Sequence, residues 1–473
     1  MVRFIILSFL IIVMILFPTF SQDTMPLQIW ASVHDPVIVK AGEYYYVFGS
    51  HLAVAKSKDL MLWQVVNSDQ GDGNRIIPNI SKELSEAFEY AEIPSPDIWA
   101  PCVIQLLDKK FYMYYCVSSF GAFRSAIGIA VSDSIEGPYK NLQIIIRSGI
   151  RFEEGLAPDG TLYDPMRHPN CIDPHVFYDK DGKLWMAYGS YFGGIYIIQL
   201  DPKTGLPLPN QGYGKRLAGG NHAPIEGSFI IYNPQTKYYY LFLSFGGLDS
   251  KGGYNIRVAR SENPDGPYFD LEGKDMREAI GRDRERVGAY GVKLIGNFNL
   301  NRENPRSTLT YGYVSPGHNS VYHDKDTDKW YIVFHTRFPG KGEYFTIRVH
   351  QMFFNSDGWP VIAPFPYGGE TLRRLNIDEI RGEYFLINHG KDISSDIKTP
   401  INIILKEDGT IIGEIKGRWE VRDNFINLIL EEEKYKEEYK GVILSQWNPN
   451  TMKKTITFSC LSKKGISIWG IKK

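Results

Sequence analysis

Residues 35–49 read DPVIVKAGEYYYVFG: an Asp-Pro head, a β-branched run, a Gly-containing turn and a run of aromatics. Two apolar strands around a short turn describe a β-hairpin. The carboxylate at its head has two readings. Asp-Pro is common at chain reversals, because the residue before proline is driven into extended conformations. Alternatively, the mouth of the strand needs a negative charge. A single copy does not decide between them.

Four further copies follow: APCVIQLLDKKFYMYYC (100–116), DPHVFYDKDGKLWMAYG (173–189), EGSFIIYNPQTKYYYLFLS (226–244) and HNSVYHDKDTDKWYIVFHT (318–336). Turn signals separate each pair of strands, at Ala41-Gly42, Asp108-Lys109, Asp181-Gly182, Asn233-Pro234 and Lys325-Asp326. Two copies run on into a third strand closing on Gly-Pro-Tyr, at Gly137–Tyr139 and Gly266–Tyr268. Self-similar hairpin units predict a β-propeller, here with five blades. Their heads lie about 71 residues apart on average, so long inter-strand loops are expected. In a propeller the innermost strands begin on one face around the axis. Asp35, Ala100, Asp173, Glu226 and His318, each 14 to 16 positions before the end of its second strand, therefore converge on one small space. Turn chemistry does not predict acids at one register in different blades.

The chain has 473 residues, which points to two domains. A net charge of -1 with 23% charged residues argues against a nucleic-acid or anionic-membrane partner. Aromatics reach 14%, which favours strands and offers stacking surfaces. Residues 1–22, MVRFIILSFLIIVMILFPTFSQ, have a basic start, an apolar run and a polar break, the anatomy of a secretory signal peptide. A retained anchor is the competing reading, and no other segment could span a bilayer. A secreted, extracellular protein with no membrane association after cleavage is expected. Cys102, Cys116, Cys171 and Cys460 lack metal-ligand spacing; a disulfide is open, and sequence does not pair them. The propeller is placed at 23–372. Residues 376–473, with short alternating strands around EEEKYKEEYK, predict a small all-β barrel or sandwich. Its charge run reads as a solvated face or turn. Sugar binding and bracing of the propeller are both open.

Two carboxylates across a cleft with a third nearby suit glycoside hydrolysis: one protonates the leaving oxygen, one activates water, and a like charge close to the donor raises its pKa. There is no G-x-S-x-G, Walker A or H-E-x-x-H sequence. A calcium site closing the channel uses the same residue types and stays open as an alternative.

The phrases SVHDPVIV (32–39), IWAP (98–101), IDPHVFYDKDGKLWMAYGS (172–190), IEGSF (225–229) and SPGHNSVY (315–322) together resemble glycoside hydrolase family 43, on the side of the endo-α-1,5-L-arabinanases. The resemblance runs through the whole propeller, and larger extracellular members carry a similar C-terminal β-module. It implies an inverting hydrolase of arabinan with Asp35 as general base, Glu226 as general acid and Asp173 as the third acid tuning the donor. Base and acid are then expected roughly 6.5–9.5 Å apart. It also implies that His318 binds one hydrated calcium ion at the axis. Trp99 and Phe120 are candidate stacking platforms, and Asn170 and Ser190 candidate hydroxyl-binding groups. His34, His51 and Arg337 are expected to line the pocket. Cys102 departs from the pattern, since many relatives carry an acid there. Loops 66–96 and 270–310 are expected to shape the cleft. An exo-acting arabinofuranosidase or β-xylosidase, a non-catalytic carbohydrate-binding propeller and a retaining fructan-active enzyme are the rival readings. A monomer is expected.

Overall fold

The computed structural model describes residues 24–431 and 436–473; the expected signal peptide at 1–22 lies outside them. Five sheets and one closed barrel account for the strands. The blades are contiguous in sequence. Their innermost strands are Val37–Ala41, Trp99–Gln105, His175–Tyr178, Ile225–Asn233 and Gly312–Asp324. Each touches the next, and the last returns to the first, so they form a ring around one axis.

Most middle strands read as unbroken apolar runs because both faces of a blade are covered by its neighbours. Tyr238–Phe245 (YYYLFLSF) is buried at every position after the first. The space between blades widens outward and takes large rings whose polar ends find partners. The Tyr114 hydroxyl, for example, donates across to Gly205 O of the third blade at 2.9 Å. Both Gly-Pro-Tyr tags lie between third and fourth strands, where Tyr139 and Tyr268 are buried and donate to Ile135 O (3.0 Å) and Pro264 O (2.8 Å).

Among the described residues the ring closes between the fifth and first blades without an exchanged strand. Ser320 Oγ donates to Pro36 O (2.8 Å) and accepts from Ile38 N (3.0 Å), and Ile347 N donates to Ala31 O at 2.9 Å. Loop 66–96 differs from its expected role. Ile76, Ile77, Ile80, Leu84, Phe88 and Ala91 pack into the core between the first two blades, so much of this loop fills that core. Loop 270–310 packs Met276 and Val287 into the core between the third and fourth blades, and Gly281 N reaches Gly220 O (3.0 Å).

The C-terminal module is a barrel, not a sandwich. Its eight strands run from Gly382–Asn388 to Ser467–Lys472, and those two pair with each other to close it. The interior is packed with Leu386, Ile403, Trp419, Leu428 and Phe458. Within the charged stretch, residues 436–440 open the strand Lys436–Asn448 and pair with Phe425–Glu431.

Candidate active site

Each inner strand enters through one residue in the left-handed region: Asp35 (φ 54°), Ala100 (35°), Asp173 (56°), Gly227 (61°) and His318 (46°). Regular pairing resumes two residues later in every case, and in blades two, four and five the entry is a register shift. Such irregular entries re-aim side chains, and a non-glycine in this region costs on the order of 1–3 kcal/mol. Four of the five heads match the sequence register. In the fourth blade the equivalent residue is Gly227, where a Cβ would lie 3.1 Å from the His318 ring, and Glu226 stands one place earlier.

Asp35 is almost enclosed, with 13% of its side chain exposed. Oδ2 accepts from Ser50 Oγ (2.5 Å) and faces His34 Nδ1 (2.8 Å), while Oδ1 faces His318 Nδ1 (3.0 Å). Burial by itself raises a carboxyl pKa, but the His34 and His318 imidazoles outweigh it and hold Asp35 well below the usual range. His318 shows the reciprocal effect: burial opposes its charge, yet Asp35 and the two other acids bring it up to about 9. His335 stacks on His34 at 3.8 Å and accepts the Asp35 N–H at Nδ1 (3.2 Å). Burial keeps this ring neutral. Ser50 Oγ also accepts from Ala100 N (2.9 Å), which ties the heads of the first two blades together.

The other two acids go the opposite way. Asp173 has one long contact, from Gly227 N at 3.4 Å; burial first, with Glu226 and Asp35 adding to it against His318, lifts it to about 7. Burial also raises Glu226, although Ser190 and Tyr254 hydroxyls donate to it. Ser190 Oγ lies 2.7 Å from Oε2 and Tyr254 Oη 2.8 Å from Oε1. One carboxylate stripped of its proton therefore faces two that retain theirs to higher pH, which is the division that acid–base catalysis at a single bond requires.

The remaining expected residues divide. Trp99 is half-buried with Nε1 on Asp97 Oδ2 (3.0 Å), and Asp97 Oδ1 meets His51 Nδ1 (2.8 Å). Phe120 is 91% exposed on the loop between Phe111–Val117 and Ser125–Ser132. Asn170 is buried and accepts from Ser148 Oγ at 3.4 Å. Ser190 is turned onto Glu226. Arg337 is buried and held by Glu343 Oε2 (2.5 Å) and Leu248 O. At Cys102, the departure noted in the sequence, Sγ accepts from Val176 N (3.3 Å), sealing the second inner strand to the third. All four cysteines are buried and unpaired. Ser50, Tyr254 and His335 escaped the sequence reading; Ser50 and His335 sit near the ends of hairpins whose heads were recognised, a position that could have flagged them.

Among the described residues, His34, Asp35 and His335 place ligand-type atoms within 4.8 Å of one another. Two imidazoles suit a softer metal than calcium. His318 is the expected calcium anchor; Asp35 engages its Nδ1, so a hard ion there would have to displace the proton of Nε2 and would complete its shell with water oxygens.

A five-bladed propeller with three converging acids and a basic imidazole defines a glycoside hydrolase site. The model of glycosyl hydrolases family 43 matches residues 29–360, and this chain belongs to that family. Residues 364–470 match a C-terminal lipocalin-like domain of the same family. The chain is 57% identical over 451 residues to an extracellular endo-α-(1→5)-L-arabinanase of Thermotoga petrophila, covering 95% of each. It is 53% identical over 447 residues to extracellular endo-α-(1→5)-L-arabinanase 2 of Bacillus subtilis, covering 93% of each. A crystal structure of the endo-1,5-α-L-arabinanase from Thermotoga petrophila superposes with a TM-score of 0.94 over 95% of this chain and 100% of that one.

Proposed function

We propose that this protein is a secreted endo-α-1,5-L-arabinanase that hydrolyses internal bonds of arabinan with inversion. The observation that carries the reading is the convergence of three buried strand-head acids in unlike surroundings: Asp35 lies between two imidazoles that lower its pKa, while burial raises those of Glu226 and Asp173. Likeness to two extracellular endo-arabinanases over nearly the whole chain supports the substrate, and among the described residues no helix is long and apolar enough to cross a membrane.

In this reading Asp35 takes a proton from a water whose oxygen attacks the anomeric carbon. The glycosidic C–O bond breaks as Glu226 delivers its proton to the leaving oxygen. Asp173 keeps Glu226 protonated by like-charge repulsion whenever Asp173 is ionised. An α-linkage is thereby released as a β-configured reducing end. The aromatics at the rim, Trp99 and Phe120, offer flat faces to arabinose rings. A hydrated calcium ion at His318 would supply a fixed positive charge beside the acids.

Proton NMR of the enzyme acting on linear α-1,5-arabinan tests this. Short β-configured oligomers are expected before mutarotation, with activity lost in Glu226→Gln and lowered by chelation, then restored by calcium. Release of monomer only would move the protein to the exo-acting class. Polymer binding without cleavage would make it a carbohydrate-binding propeller.

A further inference from the structure

Glu226 is the only one of the three acids held by side-chain hydroxyls on both oxygens, and the two hydroxyls come from different blades. Ser190 lies in the turn after Leu184–Tyr188 of the third blade, and Tyr254 immediately precedes Asn255–Ser261 of the fourth. Both are buried, at 4% and 1% exposure. Neither is free to swing away. Tyr191 N donates to Ile225 O (2.9 Å) and Tyr191 Oη to Gly246 O (2.8 Å), which pins the Ser190 turn to the hairpin carrying the acid. The Tyr254 ring lies against Gly317, where an added Cβ would come within 2.1 Å of it. Its other neighbour, at 6.0 Å between centroids, is His335, the ring that supports Asp35.

We propose that Tyr254 and Ser190 are positioning residues that form a two-hydroxyl clamp aiming the proton of Glu226 at the leaving sugar oxygen. The inference rests on the reading of Glu226 as general acid. A phenol donates more readily than it accepts, so Tyr254 occupies Oε1 and the carboxyl proton sits on Oε2. There the Ser190 hydroxyl can rotate to accept it, until the leaving oxygen takes that place. After transfer both hydroxyls donate to the new carboxylate, so the clamp favours the transition state over the resting acid. Asp173, with one long amide contact, has no such help and is unsuited to replace Glu226.

The test uses the full-length enzyme with Tyr254→Phe, Ser190→Ala and Ser190→Thr, assayed on linear arabinan and on a nitrophenyl arabino-oligoside across pH. Loss of one donor to a carboxylate is expected to lower kcat on arabinan about tenfold. It should also move the alkaline limb of the kcat profile up by about half to one pH unit, because a hydroxyl bonds the carboxylate anion more strongly than the neutral acid, so its loss disfavours the anion more. The nitrophenyl substrate, whose leaving group needs little protonation, should lose much less, and Ser190→Thr should stay near wild type. An unmoved alkaline limb, or equal losses on both substrates, would overturn the clamp. Tyr254→Phe keeps the ring that fills the space beside Gly317; if it nonetheless fails to fold, Ser190→Ala decides by the same readouts. Glu226→Gln separates the two claims. Retained arabinan cleavage there removes the acid assignment itself, whereas an inactive Glu226→Gln beside an unaffected Tyr254→Phe removes the clamp alone.

Discussion

Asp35 is a nearly enclosed carboxylate that stays charged because two imidazoles lie within 3.0 Å of it. That arrangement links stability to pH from both sides. The depressed Asp35 contributes stability that is present above its ordinary value of 3.8 and lost as pH falls through its lower folded value. His318, raised from 6.5 to about 9, contributes stability that is full below pH 6.5 and lost as pH rises through about 9. The melting temperature of the native protein relative to Asp35→Asn should therefore hold steady near pH 5 to 6.5 and decline towards pH 9. Differential scanning fluorimetry of the two proteins over that range measures it, and a difference that does not change between pH 6.5 and 9 would contradict the pairing. Asp35→Asn should also lose at least about a hundred-fold in activity, the usual share of a general base. Asp35, Asp173 and His318 were legible in the sequence because each heads a recognisable hairpin. Tyr254 was not, because nothing in YNIRVARS distinguishes a ring that packs on its neighbours from one whose hydroxyl reaches across to Glu226.

At the scale of elements, the heads of the inner strands carry the site and the fifth-to-first junction holds it shut. Ser320 is fully buried there, and its one hydroxyl satisfies both Pro36 O and Ile38 N beside Asp35. Ser320→Ala leaves both unpaired and should destabilise the protein by about 1–3 kcal/mol. Urea unfolding should show a lower midpoint at unchanged slope; an unchanged midpoint would mean that the junction is held elsewhere. Hairpins were readable from turn signals and aromatic runs, whereas the outer strands were not. Gln64–Asn67 and Lys140–Ser148 are short of apolar periodicity because one face looks into solvent. In the C-terminal module the pairing of Gly382–Asn388 with Ser467–Lys472 closes the barrel, and no local pattern marks a pairing between its first and last strands.

Over the whole molecule, propeller and barrel share a core. Trp469 of the last barrel strand is fully buried against Phe298 (5.3 Å) and His389 (4.5 Å), in one cluster with Leu294, Ile332 and Phe365 of the propeller. Arg257 of the fourth blade is also fully buried and donates to Gly288 O, Tyr290 O and Lys391 O, the last at the barrel's edge. With its own interior filled, the barrel serves as a brace. Trp469→Ala should cost about 3–5 kcal/mol, and calorimetry should show one transition at lower temperature; two separate transitions would contradict a shared core.

The amino-acid sequence by itself determined the repeat, the class of fold and the acids at its strand heads, because hairpin periodicity and strand-head chemistry are local and recur. Only the tertiary structure decided which acid is ionised, what holds Glu226 and how the barrel braces the propeller. Those properties depend on imidazoles, hydroxyls and burial contributed by residues up to 300 positions away, as His335 is from Asp35, and no local pattern records that distance.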